Sequence, residues 1–224
     1  MGINRVVLAT FICLSALHLI FIIADWPNAV RVSKVFLVPM IITWVGLSVS
    51  AKSRGGGFTF LATALVFSWF GDVLLLFNGF NFFISGLIAF LLAHVCYLRV
   101  IFWPKPTIKF NQLNALFAGL IIFVIGFPLT EIIYSLPGAL ITPVAIYAAV
   151  LIGLFIMTNF RPKAKSFYKD PVILGAFFFA VSDTVLAFNK FVAPVAYASF
   201  IIMLNYLIAQ YLLASGLIKD LERH

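Results

Sequence analysis

Charged residues are scarce in this sequence, and acidic residues are the scarcest of them. Only 10% of the 224 residues are charged and 64% are hydrophobic, whereas a soluble domain would carry roughly 25% charged residues. The mean hydropathy is +1.15. These values argue against a soluble domain and predict a polytopic membrane protein of the all-α class.

The sequence has only two cysteines and lacks the common short catalytic motifs. The two cysteines, Cys13 and Cys96, lie in apolar runs, so neither a disulfide framework nor a cysteine metal site is indicated. There is no Gly-x-Ser-x-Gly elbow, and the stretch RGGG at 54–57 lacks a following Lys-Ser/Thr, which excludes a phosphate loop. We therefore expect no cofactor.

Long apolar runs dominate the sequence instead, and about 20 such residues are needed to cross a bilayer. The loops between the runs are short, and no linker divides the chain, so we expect a single transmembrane domain over 1–224. Eight membrane-spanning helices are predicted, near residues 6–23, 35–50, 58–77, 82–103, 113–130, 139–158, 172–189 and 195–217.

Positive charge is unevenly distributed among the loops. The net charge of +8 could suggest nucleic acid, but the basic residues lie in short loops between apolar spans, so we expect no nucleic-acid partner. Twelve of the fifteen lysines and arginines fall at the N-terminal end, in the even-numbered loops and at the C-terminus; the others are Arg31, Lys34 and Lys190. This bias predicts cytoplasmic termini in an integral multi-pass protein of a bacterial plasma (inner) membrane.

The two halves of the chain share a short motif. GDVLLLF at 71–77 and SDTVLAF at 182–188 have Asp-x-x-Leu-x-Phe in common, and LLAH (91–94) and LIAQ (207–210) follow on the next predicted helix of each half. The spacing fits a parallel four-plus-four duplication. Chance similarity between apolar strings is the alternative.

Only two of the seven acidic residues lie well inside predicted spans, Asp72 and Asp183. An aspartate in the middle of a membrane helix costs about 2.5–3.5 kcal/mol and usually faces the bundle interior or a wet cavity. At the helical rise, both lie roughly 10 Å below the non-cytoplasmic surface, where they could share one pocket and act as acid and base. The alternatives are interhelical hydrogen bonding alone and a path for protons or cations.

Further polar residues fall on helical faces that suit such a pocket. His94 and Tyr97 are three residues apart on the fourth span, and Tyr206 and Gln210 are four apart on the eighth. Ser15, His18 and Asp25 form a stripe on the first span. A metal site could be assembled only from Asp72, Asp183 and His94, because no His-x-x-x-His pair exists, and we expect no metal.

Lys34 opens the second predicted span on the non-cytoplasmic side, and we expect no lysine inside the spans to neutralise the two aspartates. Its ammonium can extend to headgroup depth. It is either an interfacial anchor or a contact for a phosphate or carboxylate at the mouth of the pocket.

Taken together, SWFGDVLLLF, AHVCY, GAFFFAVSDTVLAFNKF and YLIAQYLL resemble the YhhN family of eight-helix membrane proteins, whose characterised members are lysoplasmalogenases. The resemblance covers essentially the whole chain. It implies that Asp72 and Asp183, with the adjacent Gly71 and Ser182, are catalytic positions. Lys34 matches a family lysine, although Val35 follows it where a proline is expected. The less secure matches are at His94, Tyr206 and Gln210.

The resemblance implies hydrolysis of the vinyl ether bond of a lysophospholipid in the bilayer, giving a fatty aldehyde and a glycerophospho-alcohol. Paired carboxyl groups suit this reaction, since one protonates the alkenyl carbon and the other stabilises the oxocarbenium ion. The sequence leaves open which aspartate is the acid. The substrate-binding residues expected beside them are Lys34, His94, Tyr97, Ser182, Tyr206 and Gln210.

Two other functions fit the same residues. A non-enzymatic transporter or lipid-binding protein could use the aspartates for proton coupling, and would move a solute without forming a product. A hydrolase acting on another lysolipid is the second alternative. The oligomeric state cannot be inferred from the sequence.

Overall fold

The computed structural model describes residues 2–103 and 108–222, and this part of the chain is built from α-helices without a β-strand. All eight predicted spans correspond to helices that are long and apolar enough to cross a membrane. The protein is therefore an integral multi-pass membrane protein of the all-α class. The helices are α1 (Ile3–Ile23), α2 (Pro27–Ser48), α3 (Gly56–Leu74), α4 (Phe80–Ile101), α5 (Gln112–Ser135), α6 (Gly138–Phe160), α7 (Pro171–Phe191) and α8 (Ala198–Leu221).

The helices group into two compact units. The first contains α1 to α4 and the part of α8 from Ala214 onward; the second contains α5 to α7 and α8 as far as Leu213. Within the first unit, α2 packs against both α1 and α3, and α3 packs against α4. Within the second, α5, α6 and α7 all pack against one another.

The start of α2 differs from the prediction. The span was expected from residue 35, but the helix begins at Pro27, which occupies its first turn, where the fixed φ of proline favours helix and its missing N–H is no loss. Asp25 makes the tight connection from α1 possible by adopting a positive φ of 52°. The predicted span of 35–50 left Arg31 and Lys34 at or before its start, yet both residues lie inside the helix.

A proline inside α2 creates a specific link to α3. Pro39 has no N–H, so the carbonyl of Val35 four residues earlier lacks its normal helical donor. The indole Nε1 of Trp69 on α3 donates to this carbonyl at 2.9 Å. The bond aligns the two helices one residue away from Lys34 and three residues away from Asp72.

The connection between α6 and α7 is held by buried polar groups. Asp170 caps α7, where its Oδ1 accepts from the backbone N–H groups of Val172 and Ile173, and Pro171 follows it in the first turn. The same carboxylate pairs with Arg161 at 2.8 Å and accepts from the Lys165 N–H at 2.7 Å. Asp170 is thus a fully buried cap and not merely a loop residue.

We expect the Trp69–Val35 bond to depend on Pro39, and a double-mutant cycle tests this. Trp69→Phe should lower the free energy of unfolding by about 1–2 kcal/mol, because it leaves a part-buried carbonyl unsatisfied. In a Pro39→Ala background the backbone N–H is restored, and the same change should cost about 1 kcal/mol less. Unfolding in detergent measures both, and equal costs in the two backgrounds would contradict the link.

Candidate functional site

The centre of the first unit is an ion pair between α2 and α3. Lys34 Nζ lies 3.5 Å from Asp72 Oδ1, and the two side chains are 14% and 3% exposed. The expectation that no lysine lies inside the spans is therefore wrong, because α2 begins eight residues before the predicted start and carries Lys34 into the helix. Lys34 therefore supplies a positive charge beside the Asp72 carboxyl group.

Gly71, the residue before Asp72, allows α3 and α4 to approach closely. A Cβ atom built at Gly71 would lie 2.6 Å from the ring of Phe90 on α4, which is too close for any real contact. A Cβ atom built at Gly86 of α4 would lie 3.0 Å from the Leu75 side chain and 3.4 Å from the Gly71 carbonyl oxygen. The glycine in the Gly-Asp motif therefore fixes the depth at which α4 packs against the helix that carries Asp72.

His18 and Ser33 form a second polar contact, between α1 and α2. His18 Nδ1 lies 2.7 Å from Ser33 Oγ, whose hydroxyl donates to the Ala29 carbonyl at 2.7 Å. Which of the two groups donates in this contact depends on the tautomer of His18. The buried Nε2 has no hydrogen-bond partner among the described residues. Of the stripe expected on α1, His18 is fully buried, whereas Asp25 lies beyond the helix end and is exposed.

His94 and Tyr97 lie on one face of α4, as their spacing predicts, and both are fully buried. His94 interacts with the backbone of Phe90, one turn earlier on the same helix. The Tyr97 hydroxyl lies beside Ser68 of α3. These residues add polar groups to the α3–α4 packing of the first unit.

The second unit contains Asp183, which is hydrogen-bonded to a residue that the sequence analysis did not select. The hydroxyl of Tyr147 on α6 donates to Asp183 Oδ2 on α7. Both residues are buried. This phenol fixes the orientation of the Asp183 carboxyl group.

Ser182, Tyr206 and Gln210 accompany Asp183 in the second unit. Ser182 Oγ donates to the Ile202 carbonyl at 3.1 Å, which joins α7 to α8. Tyr206 packs edge-on against Phe179 with ring centroids 5.6 Å apart. Gln210 is fully buried, so all three expected positions of α7 and α8 face the interior. Whether Asp72 and Asp183 act on one substrate stays a prediction.

Three site residues were not predicted from the sequence, although each had a weak signal. For Trp69 the signal is Pro39 in α2, which leaves the Val35 carbonyl in need of another donor. Tyr147 is a lone hydroxyl in an otherwise apolar stretch of α6, and Ser33 directly precedes Lys34. Across residues 2–103 and 108–222, no cluster of three His, Cys, Asp or Glu side chains is arranged to hold a metal ion.

Comparison with known proteins gives a consistent picture. The model of the YhhN family matches residues 29–217. The human protein named lysoplasmalogenase TMEM86A is 30% identical over 196 residues, which cover 83% of this chain and 77% of that protein. Its bovine counterpart is 28% identical over the same shares. Human lysoplasmalogenase TMEM86B is 31% identical over 169 residues, or 75% of this chain and 68% of that protein. No solved structure matches the chain.

Lys34→Met should be strongly destabilising, because it leaves the Asp72 carboxylate buried without its cation. We expect a loss of roughly 3 kcal/mol in the free energy of unfolding. The double variant Lys34→Met/Asp72→Leu removes both charges and should recover most of this loss. Unfolding in detergent is the measurement, and a single variant as stable as wild type would show that the pair is not maintained.

Gly71→Ala should cost about 2 kcal/mol of stability through overpacking against Phe90. Adding Phe90→Leu should restore part of it by removing the ring atoms that the new methyl group meets. Gly46→Ala is the matched control, because a Cβ atom there meets nothing within 4 Å. Equal stability of Gly71→Ala and Gly46→Ala would contradict the close approach of α3 and α4.

Proposed function

Because the chain belongs to the YhhN family, we propose that it is a membrane-embedded hydrolase that cleaves the vinyl ether bond of lysoplasmalogens. The products are a fatty aldehyde and a glycerophospho-alcohol. The names of the human relatives support this substrate class. The observation that carries the mechanism is the buried Lys34–Asp72 ion pair.

The reaction requires one proton donor and one negative charge. Protonation of the outer alkenyl carbon converts the vinyl ether into an oxocarbenium ion. Water then adds to the cationic carbon, and the resulting hemiacetal collapses to the aldehyde and the free alcohol. A carboxylic acid suits the first step, and a carboxylate beside the cation stabilises the transition state of that step.

We assign the carboxylate role to Asp72. The Lys34 ammonium lies 3.5 Å from Asp72 Oδ1 and supplies the counter-charge that a carboxylate needs away from water. In this role the Asp72 carboxylate stabilises the developing oxocarbenium ion, and Lys34 is the positioning residue that holds it.

We assign the proton-donor role to Asp183. Tyr147 donates to Oδ2, and this bond holds the carboxyl group in one orientation. Asp183 gives its carboxyl proton to the alkenyl carbon and becomes a carboxylate. It then accepts a proton from the attacking water, which returns it to the starting state and balances the reaction.

The remaining expected site residues hold the substrate in this proposal. The polar groups of His94, Tyr97, Ser182, Tyr206 and Gln210 contact the oxygens of the lysophospholipid, and aliphatic and aromatic side chains contact its tail. The positive-inside bias predicts cytoplasmic termini, and in that orientation our proposal has the pocket open toward the non-cytoplasmic leaflet. Asp72 lies near the end of α3, and Lys34 lies in the first turns of α2.

Detergent-purified protein, ethanolamine lysoplasmalogen and mass spectrometry of the aldehyde test the function. Wild type should release aldehyde, whereas Asp72→Asn and Asp183→Asn should reduce kcat by at least about 100-fold. In D₂O the aldehyde should carry one deuterium on the carbon next to the carbonyl, because that carbon receives the catalytic proton. Asp25→Asn is the matched control, since Asp25 is exposed and lies outside the helices.

Several outcomes would contradict the proposal. Absence of aldehyde from folded wild type would exclude the lysoplasmalogen assignment and favour another lysolipid or transport. Aldehyde formation that survives either aspartate change would exclude the acid–carboxylate mechanism. Aldehyde without deuterium from D₂O would show that the alkenyl carbon is not protonated.

A further inference from the structure

A groove lies in the first unit where α2 begins and α3 ends. Its cavity volume is about 450 Å³, within the range of roughly 300–1,000 Å³ that is usual for small-molecule sites. The walls are apolar and two polar side chains stand among them. The lining residues are Arg31, Val32, Val35, Leu76, Phe77 and Asn78.

The groove continues the helix faces that carry the ion pair. On α2, Arg31 is three residues before Lys34, which places both on one side of the helix. On the other wall, Leu76 follows Asp72 by four residues, just beyond the end of α3. The groove therefore lies about one helical turn outward from Lys34 and Asp72.

Arg31 is a cation without a partner among the residues that the structure describes. It is exposed, and no hydrogen bond or ion pair joins its guanidinium to another described residue. Lys34, the neighbouring cation, is already paired with Asp72. A negatively charged ligand in the groove would therefore meet Arg31 first.

The spacing from Arg31 to Lys34 is comparable with the length of a lysophospholipid backbone. Three helical residues rise about 4.5 Å along the axis. In the lipid, five bonds of about 1.5 Å separate the vinyl ether oxygen from the phosphorus atom, and the bond angles shorten this path to about 6 Å end to end. A phosphate at Arg31 thus places the ether oxygen within about one helical turn of the Lys34–Asp72 pair.

We propose that the groove binds the glycerophosphate end of the lysophospholipid and that Arg31 binds its phosphodiester. The guanidinium forms paired hydrogen bonds with the phosphate oxygens, and Val35 and Leu76 contact the glycerol carbons. This assignment rests on the proposed function, and it gives Arg31 the phosphate contact that the sequence analysis considered for Lys34. Arg31 is a specificity residue here, because it selects phosphate-bearing lipids.

Binding of lipids that cannot be cleaved tests the proposal without requiring turnover. The probes are 1-O-hexadecyl-glycero-3-phosphoethanolamine and 1-O-hexadecylglycerol, which share an alkyl chain and glycerol but differ in the phosphate. Arg31→Gln should weaken binding of the first about tenfold and leave binding of the second unchanged. Arg31→Lys should fall between Arg31→Gln and wild type, because an ammonium keeps the charge but loses the paired geometry.

Two further variants separate the groove from a general charge effect. Val32→Trp should weaken binding of both lipids, because the exposed Val32 side chain lines the groove and the indole would fill it. Arg5→Gln removes an exposed arginine at the start of α1 and should leave both affinities unchanged.

The results of these experiments distinguish a failure of the Arg31 site from a failure of the proposed hydrolase function. Equal affinity of Arg31→Gln and wild type for the phospholipid would overturn the role of Arg31, whatever the activity of the enzyme. Equal loss for both lipids would also overturn it, since the effect would not depend on phosphate. Selective loss of phospholipid binding supports the site even if wild type forms no aldehyde, in which case only the hydrolase assignment fails.

Discussion

A polar group inside a membrane-spanning helix has to find its partner within the protein, because the hydrocarbon of the bilayer offers none. This constraint explains most of the described interhelical polar contacts. Lys34 meets Asp72, His18 meets Ser33, Tyr147 meets Asp183, and Ser182 meets a carbonyl of α8. Each contact requires only one or two polar side chains, and each fixes how one helix is rotated about its axis against its neighbour. The polar side chains that need hydrogen-bond or charge partners within the fold are therefore also the side chains that are available for catalysis.

The two aspartates have different surroundings, and this difference gives the proposed mechanism its direction. One lies beside an ammonium group and the other accepts from a phenol. Environment of this kind is how enzymes assign acid and base roles to two chemically identical side chains. Tyr147 and Lys34 would then matter to the reaction as much as the aspartates, although neither need contact the reacting carbon.

The eight helices were predictable because a run of about 20 apolar residues is a strong local signal. The burial of Asp72 and Asp183, and of His94 with Tyr97, followed from the cost of exposing them to lipid. The start of α2 was not predictable from hydropathy, because Arg31 and Lys34 look like loop residues until their partner or their groove is known. The partner of each buried polar group was not predictable either. Tyr147 and Asp183, for example, are 36 residues apart in the sequence, and only the packing of the helices decides which side chains meet.

The proline in α2 has a consequence for how the protein enters the membrane. A carbonyl left open by Pro39 would face hydrocarbon if α2 were inserted alone, at a cost of several kcal/mol. The indole of Trp69 removes that cost only once α3 lies alongside. For this pair of helices, the contact between α2 and α3 therefore lowers the cost of keeping α2 in the bilayer, and the two helices together are better matched to hydrocarbon than α2 is by itself.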